Sequence, residues 1–424
     1  MISSTTYLTL FRSTTYFTLF DNYFDRSLTY LVAFQKKIME TYEERKQAIS
    51  LYESGSKISH IVKSIKKSRQ WFYFWLKRYK AFQGKGEWFK GESKAPKAKP
   101  DKVSSEIEQQ VISVRHTLER QRHSQTGAIA IQYKMRSLGM QPPPVWTINR
   151  ILSRHGLNVK PSSAYKKSNK DYPELFHHTH QMDLVGPRYI KGDGRYFTIN
   201  IIDTECRSCL VRPVRAKSAV EVFNTLIAFW TEHGMPDALQ MDNELAFRGS
   251  NKYPRSFGPV VRLALALNIA PVFIPIAEPW RNGIIEKFNN TVDKRFIKVT
   301  TFQNYDHLCQ ESGSFTSFHN ENHRYSSQGH KTPNERRATL GHLFKLDRSI
   351  DFKQRIPLET GVVYFIRFIR GDALLKLHTE AFKVNKDLRH SYVVAEVNID
   401  NQCLTIRQNG EIIQNMPYET NIDW

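Results

Sequence analysis

Cysteine is scarce: four residues in a chain of 424. That is too few for a disulfide framework. Cys206 and Cys209 form one C-x-x-C, while Cys309 and Cys403 stand alone. No second C-x-x-C or H-x-x-x-H lies at zinc-finger spacing, so four reduced thiols in a cytosolic protein are expected. His177, His178 and His180 cluster without a cysteine pair nearby and read as structural or solvated. No run of about 18 apolar residues occurs, so no membrane-spanning helix and no membrane partner are expected. Acidic residues are in deficit, 41 against 62 Lys and Arg, for a formal net charge of +21. An excess that large must be tolerated against self-repulsion, and a polyanion such as nucleic acid is its natural partner.

What the chain does contain is 40% hydrophobic residues, enough for folded cores, and a length that calls for two to four domains. The first 38 residues carry an echo, STTYLTLF followed by STTYFTLF. They lack the basic start and apolar block of a signal peptide. We read 1–38 as a non-native or disordered extension, with Met39 as the expected native start.

Residues 39–83 show apolar spacing for three short helices, with Gly55 as a break and Ser68 placed to cap the last. The pattern is that of a helix-turn-helix, whose last helix would offer Arg69, Gln70, Tyr73 and Lys77 to DNA. Residues 84–103, rich in Gly, Lys and Pro, read as a flexible basic linker. A second helix-turn-helix is expected over 104–157. Pro142–Pro144 force a turn there, and the helix after it would present Trp146, Thr147, Asn149 and Arg150. Residues 172–345 alternate strands and helices, an α/β layer. Residues 355–418 read as all-β, a small barrel of about five strands with an Asn409–Gly410 turn.

Three acids stand in telling places. Asp183 lies inside the strand-like HQMDLVGP, Asp242 at the end of DALQMDN, and Glu286 in PWRNGIIEKFNNT. A carboxylate in an apolar strand is costly unless it is paired or binds a metal. On the last segment Ile285, Phe288, Val292 and Phe296 share an apolar helical face, while Asn282, Glu286, Asn290 and Asp293 share a polar one. Glu286 is thus expected to point away from the core. Convergent carboxylates suit Mg²⁺, which keeps water and phosphate oxygens in its shell.

These three motifs, in this order, resemble the catalytic core shared by retroviral integrases and many bacterial insertion-sequence DDE transposases. In that family an Asp lies on the first strand, an Asp-Asn or Asp-Ser after the fourth, and N-G-x-x-E on a helix. Here 58 residues lie between Asp183 and Asp242, and 43 between Asp242 and Glu286, with an insert around Arg248–Pro259. Glu244 stands where the family usually has Gly. SRQWFYFWLKRY and PPPVWTINRILSRHGL resemble the family's tandem helix-turn-helix, KTPNERRA (Lys331–Ala338) its core-closing segment, and GVVYFIRFI…LRHSYVVAEV its SH3-like barrel.

The resemblance implies a ribonuclease H-like core and a polynucleotidyl transferase that cuts transposon ends and joins them to target DNA. It implies Asp183, Asp242 and Glu286 as ligands of two Mg²⁺ ions, for which Mn²⁺ would substitute, and Lys287 as a phosphate contact. It also implies double-stranded DNA partners (terminal repeats and target), an assembly of at least two subunits, and a bacterial cytoplasmic, nucleoid-associated location. Two alternatives are a non-catalytic DNA-binding regulator and a nuclease on the same fold.

Overall fold

The computed structural model describes residues 39–91, 103–158, 172–341, 344–347 and 356–421. The repeat-bearing segment 1–38 lies outside them, as does most of the expected linker. The chain divides into two compact units, residues 1–102 and 103–424.

In the first unit, helix α1 (39–53) precedes α2 (Ile58–Ser64) and α3 (Arg69–Ala81). The Ser68 hydroxyl accepts from the Trp71 amide at 3.1 Å, satisfying one of the free donors that open any helix. Ala48, Ile49, Ile61, Phe72 and Leu76 form the core. Trp88 belongs to the same core. Its carbonyl accepts from Arg78 Nε at 2.9 Å, and its ring meets Tyr79 edge-on at 5.0 Å. The stretch 84–91 is therefore part of this unit and not linker. Two aromatics in a Gly/Lys-rich run outweigh its composition, because each buries far more apolar area than its neighbours expose.

The second unit begins with α4 (Ser105–Arg120), α5 (Ala128–Ser137) and α6 (Val145–Arg154), closed over Val111, Val114, Ile131, Met135, Ile148 and Ile151. A nine-stranded sheet follows, in the order β11-β10-β9-β6-β5-β4-β1-β2-β3. Its members are β1 (Thr179–Ile190), β2 (Gly194–Asp203), β3 (Cys209–Val214), β4 (Ala238–Met241) and β5 (Ala270–Phe273). The C-terminal part supplies β6 (Val362–Phe368), β9 (Tyr392–Asn398), β10 (Cys403–Gln408) and β11 (Glu411–Pro417). A separate hairpin is formed by β7 (Leu374–Leu377) and β8 (Glu380–Lys383).

Strand β1 pairs antiparallel with β2 and parallel with β4, and β4 runs parallel to β5. β5 then pairs parallel with β6 through Val272↔Tyr364 and Phe273↔Phe365. The all-β part expected over 355–418 is present as strands, but four of them continue the core sheet, a pairing that strand alternation alone does not reveal.

On one face of the sheet α7 (Ala219–His233), α8 (Leu245–Arg248) and α9 (Pro259–Ala266) accompany the large core around Phe229, Trp230, Phe247 and Val261. The other face carries α10 (Gly283–Arg295) and α11 (Tyr305–Asn322), packed through Ile285, Phe288, Val292, Phe296 and Phe315. A short helix α12 (Pro333–Arg337) follows, started by a capping box between Thr332 and Glu335.

The turn between α4 and α5 meets α10 and α11: the His123 ring lies edge-on to Phe315 at 5.3 Å. In addition, Gln125 accepts from the Arg324 amide at 2.7 Å. Gly249 and Gly258 pinch the base of the insert, and a Cβ on Gly249 would fall 2.7 Å from the Gly258 nitrogen. No helix among the described residues is long and apolar enough to cross a membrane.

Candidate active site

Alternation along β1 sends His180, Met182 and Leu184 to the α7 face and Gln181 and Asp183 to the α10 face. The register pairs Gln181 with Gln240 on β4, and Asp242 follows one residue past the end of that strand. Asp183 and Asp242 therefore emerge from neighbouring parallel strands at one end of the sheet. Both are half-buried. Burial raises the Asp183 pKa above the usual carboxylate value. Burial raises Asp242 as well, with the Asp183 charge adding to it.

Glu286 lies in the first turn of α10, where a negative charge is favoured by the helix dipole. The lead-in to that helix is fixed by Asn282. Its amide donates to the Met182 carbonyl at 3.1 Å, and its Oδ1 accepts from Gln240 at 3.2 Å. The Gln181 side chain accepts from the Ile285 amide at 3.0 Å. These bonds stitch α10 to β1 and β4 beside the two aspartates.

One turn on from Glu286, Asn289 donates to Asp183 Oδ2 at 2.6 Å and accepts from Asn200 of β2 at 2.7 Å. The other Asp183 oxygen accepts its neighbour's amide, Leu184 N, at 2.8 Å. Among the described residues none of Asp183, Asp242 and Glu286 is ion-paired. Partly buried carboxylates without a cationic partner fit a hard divalent cation. Their ligand atoms do not all come within 4.8 Å of one another, and among the described residues only His178, His180 and Asp203 do.

That histidine cluster reads as a hydrogen-bond network rather than a metal site. Trp230 Nε1–H donates to His180 Nδ1 at 3.2 Å. An indole can only donate, so Nδ1 holds the lone pair and Nε2 the proton, which faces Asp203 Oδ2 at 3.4 Å. A metal at Nε2 would need the opposite tautomer. His178 reaches the same oxygen at 3.0 Å, and Asp203 Oδ1 accepts from the amides of Glu205 and Cys206. Burial alone would raise Asp203, but the bonds from His178 and His180 outweigh it and hold its pKa below the usual range. Burial pushes the His180 pKa down.

Glu244 adopts φ −60° and ψ 141°, a backbone conformation open to any residue, so the glycine usual at this place is not required here. Its amide donates to Asp242 Oδ1 at 2.9 Å, and its carboxylate pairs with Lys217 at 3.0 Å. The extra negative charge is thereby balanced. Asn289 and Lys217 carried no sequence signal of this role: the first sits between the apolar and polar stripes of α10, and the second in a loop far along the chain. Cys206 and Cys209 are free and buried, and burial pushes the Cys206 thiol up to about 12.

On α3, Arg69, Gln70, Tyr73 and Lys77 are all exposed along one face, with Phe74 beside them. On α6, Trp146 is 62% exposed, and Asn149 and Arg150 are exposed too. Thr147 departs from expectation: it is 6% exposed and packs inward with Ile148, because the helical period turns it to the core of its bundle. Lys287 is exposed.

Residues 267–333 match the family model of the integrase core domain. That stretch contains Asn282, Glu286 and Asn289 and stops short of Asp183 and Asp242. No curated protein matches the chain's sequence. Among solved structures the chain is similar to the HTLV-2 integrase catalytic core domain in complex with magnesium, in its dimeric form. The identity is 17% and the TM-score 0.29, over 38% of this chain and 97% of that one. It is also similar to a simian T-cell lymphotropic virus intasome in complex with a PP2A regulatory subunit, at 14% identity and a TM-score of 0.33, over 69% and 97%.

Proposed function

We propose that this protein is a DDE-type transposase, a divalent-metal-dependent polynucleotidyl transferase that cuts at DNA ends and joins the freed 3′-OH to target DNA. The observation that carries the reading is the convergence of Asp183 and Asp242, half-buried and paired with no basic side chain among the described residues, beside the α10 turn that bears Glu286. A match of 267–333 to the integrase core domain supports it. So does the placement of the acids: one on the first strand, one after the fourth, one on the helix after the fifth.

The ribonuclease H-like reading of the core and the bacterial insertion-sequence origin belong to this proposal. Asp183, Asp242 and Glu286 would hold Mg²⁺, two ions with Mn²⁺ as substitute. When bound, such a pair activates an attacking oxygen and stabilises a leaving one. The chain's own residues do the rest. Asn289 fixes the Asp183 carboxylate and favours its charged form. Lys217 neutralises Glu244 so that the extra acid does not repel DNA phosphate. Lys287 lies one residue from Glu286 and exposed, in reach of solvent-side phosphate. The exposed faces of α3 and α6 act as two helix-turn-helix readers of a terminal repeat. Joining two ends implies at least a dimer.

The test is a strand-transfer assay with the purified chain, cognate ends and Mg²⁺. Joined products that vanish in Asp183→Asn support the proposal. Binding without nicking would establish the regulator instead, and nicking without joining the nuclease.

A further inference from the structure

Arg367 is a buried guanidinium on β6, 4% exposed, with no carboxylate paired to it among the described residues. Its donors go to neutral oxygens. Nε donates to the Lys376 carbonyl at 3.0 Å, and Nη1 to the carbonyls of Ile274 and Ile366 at 2.9 Å each. Nη2 donates to Asn243 Oδ1 at 2.6 Å. A buried cation left without a counter-ion is costly, and its hydrogen bonds offset that cost only while every acceptor stays in place.

Asn243 directly follows Asp242. Its own amide donates to the Ile274 carbonyl at 2.9 Å, and its backbone carbonyl accepts from Arg248 Nε at 3.1 Å. The residue after the aspartate is thus gripped from three sides, while among the described residues the Asp242 carboxylate is hydrogen-bonded only by the Glu244 amide.

A second brace reaches the other carboxylate-bearing element. Tyr392 on β9 donates to Glu278 Oε2 at 2.6 Å and accepts from Arg281 Nη2 at 2.8 Å. Arg281 and Glu278 close the triangle at 3.2 Å. This triad lies at the turn Pro279–Asn282 that leads directly into α10 and Glu286. A third contact ties down the insert: Arg255 pairs with both oxygens of Glu380 on β8, at 2.9–3.1 Å.

We propose that the C-terminal strands are a working part of the catalytic centre, in which Arg367 and Tyr392 are positioning residues that hold the Asp242 loop and the Glu286 helix at a fixed separation. This rests on reading those acids as metal ligands. Neither positioning residue touches substrate; each acts through a neighbour, Asn243 or the Glu278–Arg281 pair.

The test uses the full chain with Arg367→Lys, Arg367→Met, Asn243→Ala, Tyr392→Phe and the Arg367→Lys/Asn243→Ala double variant. Mn²⁺ alone is titrated by calorimetry, and hydrogen exchange is followed in peptides covering 241–248 and 179–190. Roughly tenfold weaker Mn²⁺ binding is expected for Arg367→Lys, as for other residues that orient a metal ligand through a neighbour. DNA affinity should stay unchanged, and exchange should quicken over 241–248 but not over 179–190. The double variant should lose no more than the worse single one, since both break the same link. If Arg367→Met does not fold, Arg367→Lys and Asn243→Ala decide. Unchanged Mn²⁺ affinity and unchanged 241–248 exchange in folded variants would overturn the proposal, as would additive losses. A wild-type chain that binds no Mn²⁺ would sink the metal reading alone, and the exchange result would still decide whether Arg367 holds the loop.

Discussion

Asn289→Ala is the perturbation that reaches deepest into the site without replacing a carboxylate. The Asn289 side chain bridges Asp183 Oδ2 at 2.6 Å and Asn200 at 2.7 Å. Asn200 is 1% exposed and its Oδ1 already lacks a partner, so the truncation leaves that whole amide unsatisfied. One lost bond is charge-assisted and one neutral, which together cost about 2–4 kcal/mol. For a chain of this size that corresponds to a drop of roughly 2–5 °C in the unfolding midpoint.

A second effect follows from charge. Burial already raises Asp183, and the Asn289 bond works the other way. Without that bond the carboxyl is harder to ionise, so the acid limb of any pH–rate profile should move to higher pH. Thermal unfolding and a pH series of end nicking measure the two. Asn290→Ala, one position along on the exposed side of the helix, is the control and should change neither. An unchanged midpoint and an unmoved acid limb in Asn289→Ala would refute the argument.

Three further outcomes are expected. End binding should weaken steeply with salt, with a slope of log affinity on log salt of about −4.5 if five phosphates are neutralised; a filter-binding or anisotropy series checks it, and a flat response contradicts it. Trp146→Ala should weaken DNA binding and leave folding intact. Thr147→Ala should do the reverse, lowering stability by about 1 kcal/mol with affinity unchanged. Burial holds His319 well below its ordinary pKa and His323 at about 4. Between pH 6.5 and 4 the unfolded chain binds protons that the folded chain does not, so stability should fall as the pH is lowered through that window; a denaturant midpoint that stays constant there would contradict it.

Helices with one apolar face were legible from spacing alone. Ser68 capped as expected, and Ile285, Phe288, Val292 and Phe296 all turned inward. The placement of Asp183 on β1 and of Asp242 just past β4 could also be read, because an acid in an apolar strand is conspicuous. Long-range partners could not. Nothing local in sequence says that Asn289 meets Asn200, that Lys217 meets Glu244, or that Arg367 reaches Asn243 across 124 positions. Strand pairing is likewise set by tertiary packing, so the β5–β6 pairing that joins the C-terminal strands to the core sheet left no trace in alternation. Thr147 was misplaced because a polar residue in a helix's first turn looks exposed until the bundle's own period is known.

Anomalous scattering from a crystal of the protein grown with Mn²⁺ tests the central claim most directly. The account predicts density bracketed by Asp183 and Asp242, with the Glu286 carboxylate drawn in. Density at His178, His180 and Asp203 instead, or none beside the two aspartates, would contradict it.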